Sequence, residues 1–183
     1  MKRFLVLLVV AMVMATGVAQ AADDPPKLTT TIGPIFTDGN LGTGMAANVQ
    51  YSVDKGGKYF VEANYVGAEK TASAMGITGS DEVKTFTLGG GIRFTDREWV
   101  AGLAGGAALV SETLSLTIPD MDTRGGPAPT TTLSANDKSL EGYGRAFVGY
   151  AKGNWWGSAY LMKVFGADVT SGWGVGGGFI TRF

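Results

Sequence analysis

Six charged side chains stand where charge could do chemistry: Glu62, Arg93, Glu141, Arg145, Lys163 and Arg182. Each lies in a segment that alternates apolar and polar residues. Each is therefore expected on the face of its strand that also carries Asn48, Gln50, Asn64 and Tyr143. Two carboxylates at a suitable separation could serve as acid and base. A carboxylate beside a guanidinium would instead make a fixed ion pair. The rest of the inventory decides between these readings. The chain has no histidine and no cysteine, so the usual nucleophile–base pairs cannot be built. A Ser–Lys pair or the two acids remain formally open, but Glu62 and Glu141 fit an internal ionic network better, and no catalytic residue is assigned. Asp120 and Asp122, with Asp137, offer a loose set of oxygens for calcium. They are read as solvated loop acids, and neither a metal nor a cofactor is expected.

The elements that must position these charges are extended. Eight segments alternate with period two: Leu28–Thr37, Gly44–Val53, Tyr59–Gly67, Lys84–Thr95, Glu98–Ser111, Leu140–Ala151, Trp155–Phe165 and Gly172–Phe183. The fourth is the clearest. Phe86, Leu88, Gly90, Ile92 and Phe94 share one face, opposite Thr85, Thr87, Gly89, Gly91 and Arg93. A surface helix would repeat every 3.6 residues, and these segments do not. The connections alternate in length as well. Asp54–Gly57, Thr95–Glu98 and Ala151–Asn154 are tight polar turns. Between them lie longer connections, roughly Ala68–Val83, Glu112–Ser139 and Gly166–Ser171, with Asp38–Thr43 short for its class. Leu114, Leu116 and Ile118 carry the alternation on into the largest of these, so the sheet is expected to extend beyond the barrel there.

The front of the chain reads as an export signal. Met1-Lys2-Arg3 is basic, Phe4 to Met14 is apolar, and Ala19-Gln20-Ala21 is a small-x-small cleavage site. Cleavage there makes residues 1–21 a signal peptide and 22–183 a single domain. The mature chain then carries 13 basic against 16 acidic residues. That weakly acidic balance argues against nucleic acid as a partner. No long apolar run follows the signal. A membrane helix needs roughly 20 apolar residues, whereas a barrel strand needs only about 9–11. With no cysteine, no disulfide can staple the fold.

These observations predict an all-β protein: an eight-stranded antiparallel, up-and-down transmembrane β-barrel following a cleaved signal peptide. A soluble barrel would point its apolar face inward, and alternation alone does not assign the two faces. The tryptophan-rich strands and the terminal Phe183 favour the outward assignment. Trp99, Trp156 and Trp173 are then the aromatics expected at the membrane interfaces. With an even number of strands, both termini fall on the side of the tight turns, which is the periplasmic side of an outer-membrane barrel.

In pattern and in its ending, the mature chain resembles the small eight-stranded bacterial outer-membrane barrels of the OmpA-like and OmpX-like family. The resemblance implies that Phe179, Thr181 and Phe183 form the terminal signal read by the barrel-assembly machinery. Thr181 departs from the pattern, where a larger apolar residue is usual. It further implies passage by periplasmic chaperones, outer-membrane lipid as the surroundings and a monomeric state. Nothing after Phe183 could act as the peptidoglycan-binding domain of full-length OmpA. The expected role is structural or surface-interacting, with a polar, largely occluded lumen filled by the six charges. A narrow passive pore is the alternative. A lipid-modifying enzyme is disfavoured, because the catalysis of such barrels relies on histidine.

Overall fold

Strands with one apolar and one polar face, joined by tight turns, can satisfy every backbone hydrogen bond only by closing on themselves. The computed structural model describes residues 27–37, 42–119, 130–166 and 171–181. In it, β1 (Leu28–Thr37), β2 (Thr43–Ser52), β3 (Tyr59–Ala74), β4 (Ile77–Asp96), β5 (Trp99–Pro119), β6 (Thr130–Lys152), β7 (Trp155–Phe165) and β8 (Gly172–Thr181) form a closed antiparallel barrel in sequence order. The ring shuts between β1 and β8, where Leu28 lies opposite Thr181 and Phe36 opposite Trp173.

One end of the barrel is made of short turns. Arg97 and Glu98 join β4 to β5, and Gly153 and Asn154 join β6 to β7. Arg97 (φ 55°) and Gly153 (φ 60°) take the left-handed backbone that tight hairpins require. The turn between β2 and β3 is folded by Asp54. Its carboxylate accepts from the backbone N–H of Lys58 at 3.1 Å and of Tyr59 at 2.7 Å. The Tyr59 bond is the main reason that its carboxyl titrates below the ordinary 3.8.

The other end departs from the expected loops. The connections read as Ala68–Val83 and Glu112–Ser139 are mostly sheet. β3 runs on to Ala74, turns through Met75 (φ 52°) and Gly76 (φ 81°), and returns as β4 from Ile77. Two successive positive φ angles make the two-residue turn whose twist matches a hairpin. β5 and β6 likewise pair from Ser111–Lys138 up to Pro119–Thr130. A four-stranded sheet therefore rises beyond the ring. The extension of β5 to Pro119 is the one that the alternation of Leu114, Leu116 and Ile118 predicts, whereas those of β3 and β6 escape a period-two reading because Thr71–Ala74 and Thr130–Thr132 present only small or hydroxylated residues. The Asp120–Asp122 pair lies outside the described residues.

The outer wall is apolar and banded. Toward the turns it carries Tyr51, Tyr59, Phe94, Trp99, Tyr150, Trp155 and Phe179, with Trp99 stacked edge-on to Tyr150 (5.3 Å) and Trp155 tilted against Phe179 (4.8 Å). Toward the loops it carries Phe36, Tyr65, Phe86, Phe165 and Trp173, with Phe36 stacked on Trp173 at 4.3 Å. Exposed Leu88, Leu103, Val148, Leu161 and Val175 fill the band between.

The Asp54 turn yields a test. A carboxyl held below its unfolded pKa contributes stability that is complete above the unfolded value and is lost as the pH falls through the folded one. Asp54→Ala should therefore unfold at lower urea than the parent at pH 7. That gap should narrow once the pH drops below 3.8. Urea titrations of the micelle-held barrel at pH 7 and pH 3 check both parts.

Candidate functional site

Glu62 organises the interior. It stands on β3 with 2% of its surface exposed, in a row that runs Gln50, Glu62, Gly89, Gly106 and Tyr143 across β2 to β6. Its carboxylate accepts five hydrogen bonds. Oε2 takes Asn48 Nδ2 (3.2 Å), Gln50 Nε2 (3.0 Å) and Arg145 Nη1 (2.8 Å). Oε1 takes Asn64 Nδ2 (3.2 Å) and the Tyr143 hydroxyl (3.0 Å). Asn48 also donates to Asn64 Oδ1 at 2.5 Å, and Asn64 to the Thr87 hydroxyl at 2.7 Å. A carboxylate removed from water needs this degree of pairing to remain charged.

A glycine makes room for the Tyr143 hydroxyl. Gly89 and Gly106 occupy the inward positions between Glu62 and Tyr143. A Cβ on Gly89 would lie 2.5 Å from the Tyr143 hydroxyl. The same economy of space recurs where Gly91 faces the Phe60 ring and Gly174 faces Tyr160.

Apolar layers flank the hub. Toward the turns, Phe60, Phe147 and Trp156 pack edge to face across the lumen at 5.9 and 6.4 Å, and the Trp156 indole N–H donates to Thr31 Oγ1 (3.0 Å). Below them Arg93 donates through Nε to the Gly57 carbonyl (2.6 Å) and through Nη2 to Ser52 Oγ, with its guanidinium 5.6 Å from the centre of the Phe60 ring. Toward the loops, Ile35, Val66, Val83, Ala108, Met162 and Val164 close the packing. Arg145 is sandwiched, its guanidinium 5.1 Å from the Phe147 centroid and 4.9 Å from that of Tyr160. Beside it lies a cavity of about 10 Å³, lined among others by Asn48, Asn64, Arg145 and Tyr160. That volume is on the scale of a single water.

The six charges expected inside thus divide. Glu62 and Arg145 are in contact, and Arg93 lies inside but at the turn end, bonded to other partners. Glu141 is on the inward face, half-buried in the middle of β6 just above its first pairing with β7, with Gly166 packed against its carboxylate. Lys163 is a correction: it is exposed on the outer wall. Trp156 is the companion correction, being 6% exposed inside the lumen while Trp155 is 67% exposed outside. Both arise from one inverted strand. β7 carries apolar residues on both faces, so its period does not choose a side, and assigning its single charge inward turned it over. Lys163 is two residues from the loop end of β7, where a long stem can carry its ammonium to a polar boundary. Trp99 and Trp173 do lie on the outer wall, at 58% and 49% exposure. Phe179 faces outward and Thr181 is buried, while Arg182 and Phe183 lie outside the described residues. The aromatic layer of Phe60 and Phe147 was not read from sequence, although both residues share the parity of Glu62 and Arg145 on their strands.

No family model matches the chain, and no curated protein sequence matches it. Solved structures do. The crystal structure of Ail, the attachment invasion locus protein of Yersinia pestis, in complex with the heparin analogue sucrose octasulfate superposes with a TM-score of 0.58 at 17% identity. Ail without that ligand gives 0.54 at 16%. Each comparison covers 85% of this chain and 99% of the other. The fold is that of a small eight-stranded outer-membrane barrel.

Removing Glu62 leaves Arg145 buried and uncompensated. Glu62→Ala should cost about 3–5 kcal/mol in urea unfolding, and adding Arg145→Ala should recover part of that loss. Glu141→Ala, which breaks no comparable pair among the described residues, should cost no more than about 1 kcal/mol. Additive losses for Glu62 and Arg145 would show that the contact carries no coupling.

Proposed function

We propose that this chain is a non-enzymatic protein of the bacterial outer membrane, with a bilayer-spanning wall, a packed lumen that serves as a structural strut, and a projecting sheet that meets molecules outside the cell. The observation that carries the reading is the contrast between the two ends. The tight-turn end stops at the aromatic band, while β3–β6 continue well past the other band. The two aromatic bands, with aliphatic residues between them, have the form of a membrane belt.

The projecting sheet has features of a recognition surface. Among the described residues, Glu69–Ala74 of β3 and Thr130–Glu141 of β6 pair with a strand on one side only. Such edges accept an added strand. Its inward face holds a groove of about 550 Å³ whose lining includes Leu114, Leu116, Leu133 and Ala135, with Lys70 and Asp81 at its margin. Ail was solved with a sulfated sugar, but a polyanion suits this sheet poorly. Its described strands carry Lys70, Lys84 and Lys138 against Glu69, Asp81, Glu82, Glu112, Asp137 and Glu141.

The passive pore is the weaker reading. An eight-stranded ring is just wide enough for side chains to fill. Here an aromatic layer, a five-donor carboxylate and an aliphatic layer succeed one another along the axis.

Two measurements test the proposal. A cysteine at Ala74 should react with an impermeant reagent on intact cells, and a cysteine at Gly56 only after the outer membrane is opened. The reverse pattern would invert the orientation. In planar bilayers the purified barrel should give no stable single-channel conductance. Regular channel steps would put the pore ahead.

A further inference from the structure

We propose that the concave inner face of the projecting sheet docks a basic amphipathic peptide, whose apolar side meets a shelf of leucines and whose cations meet a floor of carboxylates beneath it. This names the partner of the groove described above and rests on the recognition reading of that sheet.

The face that points into the lumen changes character as the strands leave the ring. Leu114 is 51% exposed only four residues beyond buried Val110 on β5, and Leu133 on β6 is 59% exposed. Both share the parity of the buried interior, but among the described residues β1, β2, β7 and β8 end near the ring and leave the opposite side open. The upper row across β3 to β6 is Ala72, Gly79, Leu116 and Leu133, and the row below it is Lys70, Asp81, Leu114 and Ala135. A contiguous apolar face in water marks an interaction site. Gly79 deepens its centre. A Cβ there would have only the Ala72 carbonyl and Leu116 Cδ1 as neighbours, both at 4.0 Å, so packing does not demand a glycine and the place stays open.

The charges of this face lie at its base. Glu112 stands directly opposite Asp137 in the next row down, and Glu141 is four residues nearer the ring on β6. Like charges directly across a strand pair repel. Among the described residues, the inner face of the sheet sets these three and Asp81 against one cation, Lys70. Lys70 faces Asp81 in register but makes no ion pair among the described residues, and Asp81 Oδ1 is enclosed without a hydrogen-bond partner. The next cation inward, Arg145, is held by Glu62. These features select the occupant. A neutral apolar segment would leave the floor unmet, and a second copy would bring the same carboxylates against it. A peptide with leucines along one side and lysines beside them meets both levels, and its cations relieve the opposition of Glu112 and Asp137. The width suits a helix. Four strands at the usual spacing span about 14 Å, against roughly 10–12 Å for a helix with its side chains. The groove of about 550 Å³ then receives the anchoring leucines.

The test uses the full mature barrel in nanodiscs of zwitterionic phosphatidylcholine, with the signal of empty discs subtracted. The probe is a labelled peptide of leucine and lysine in helical amphipathic order, read by fluorescence anisotropy. It should bind saturably, and more weakly as salt is raised. The same peptide with glutamate for lysine should bind at least about tenfold more weakly, equivalent to about 1.4 kcal/mol. E112Q/D137N and, separately, G79L should each weaken the lysine peptide by a similar factor. E69Q/E82Q, which removes the same charge from the outer face, should leave its affinity unchanged. Equal weakening by E69Q/E82Q would reduce the attraction to net charge and overturn the site. Full affinity in G79L would place the peptide outside the groove and overturn it too. Equal binding of the two peptides would overturn the role of the carboxylates, and no saturable binding would overturn the proposal altogether. The two peptides on the parent protein decide these points even where a variant folds poorly. Binding in the discs with no labelling of the Ala74 cysteine on intact cells would keep the site and sink its placement outside the cell.

Discussion

A carboxylate without water is tolerable only if nearly every lone pair is met, and Glu62 imposes that condition on half of the ring. Its donors come from β2, β3 and β6. They converge only if four strand pairings, β2–β3 through β5–β6, hold one register. A slip of one residue would turn a whole strand's side chains to the other face, leaving the charge buried without its donors. Gly89 belongs to the same condition, since a side chain there would meet the Tyr143 hydroxyl. The network therefore specifies as well as stabilises. It distinguishes the native register from slipped ones, which otherwise differ little where the wall is all small or apolar residues.

The wall uses aromatic residues for opposite purposes on its two sides. Trp155 and Trp156 are adjacent, yet one joins the outer band and the other fills the lumen. An inward aromatic needs a neighbour that yields space, and Gly149 lies against the Trp156 ring as Gly91 lies against Phe60. An outward aromatic needs no such neighbour and stacks across the strand pair instead, as Trp155 does on Phe179. This pairing of inward bulk with inward glycine explains why so glycine-rich a chain can have a closely packed interior.

The same chemistry explains how much was legible in the sequence. Strands such as β4 announce themselves because one face is Phe86, Leu88, Ile92 and Phe94 and the other Thr85, Thr87 and Arg93. Asn48, Gln50, Asn64 and Tyr143 could be grouped with Glu62 by parity alone. β7 could not be oriented, because Trp155, Ala159 and Leu161 alternate with Trp156, Tyr160 and Met162, and both sets are apolar. A single lysine was a poor guide there, since a charge at a strand end can sit on the outer face. The projecting sheet was partly visible in Leu114, Leu116 and Ile118 and otherwise hidden, because Ser, Thr and Ala occur in loops as readily as in strands. The meeting of Arg145 with Glu62 across the lumen was inaccessible to parity, which gives the face of a residue but not its neighbours around a ring.

The packed lumen and the projecting sheet are linked through shared strands. β3, β4 and β6 supply Glu62, Asn64, Thr87, Arg93, Tyr143 and Arg145 to the interior, and these same strands, with β5, continue into the sheet. β1, β2, β7 and β8 stop near the ring. Among the described residues the outer strands of that sheet pair on one side only, and the base of the sheet is the part of the ring tied together by the Glu62 carboxylate. On the proposed placement the ionic core is thus more than filler for a small barrel. It fixes the registers of the strands that leave the membrane, and through those registers it keeps Thr78 beside Thr117 and Leu116 beside Leu133 at the far end.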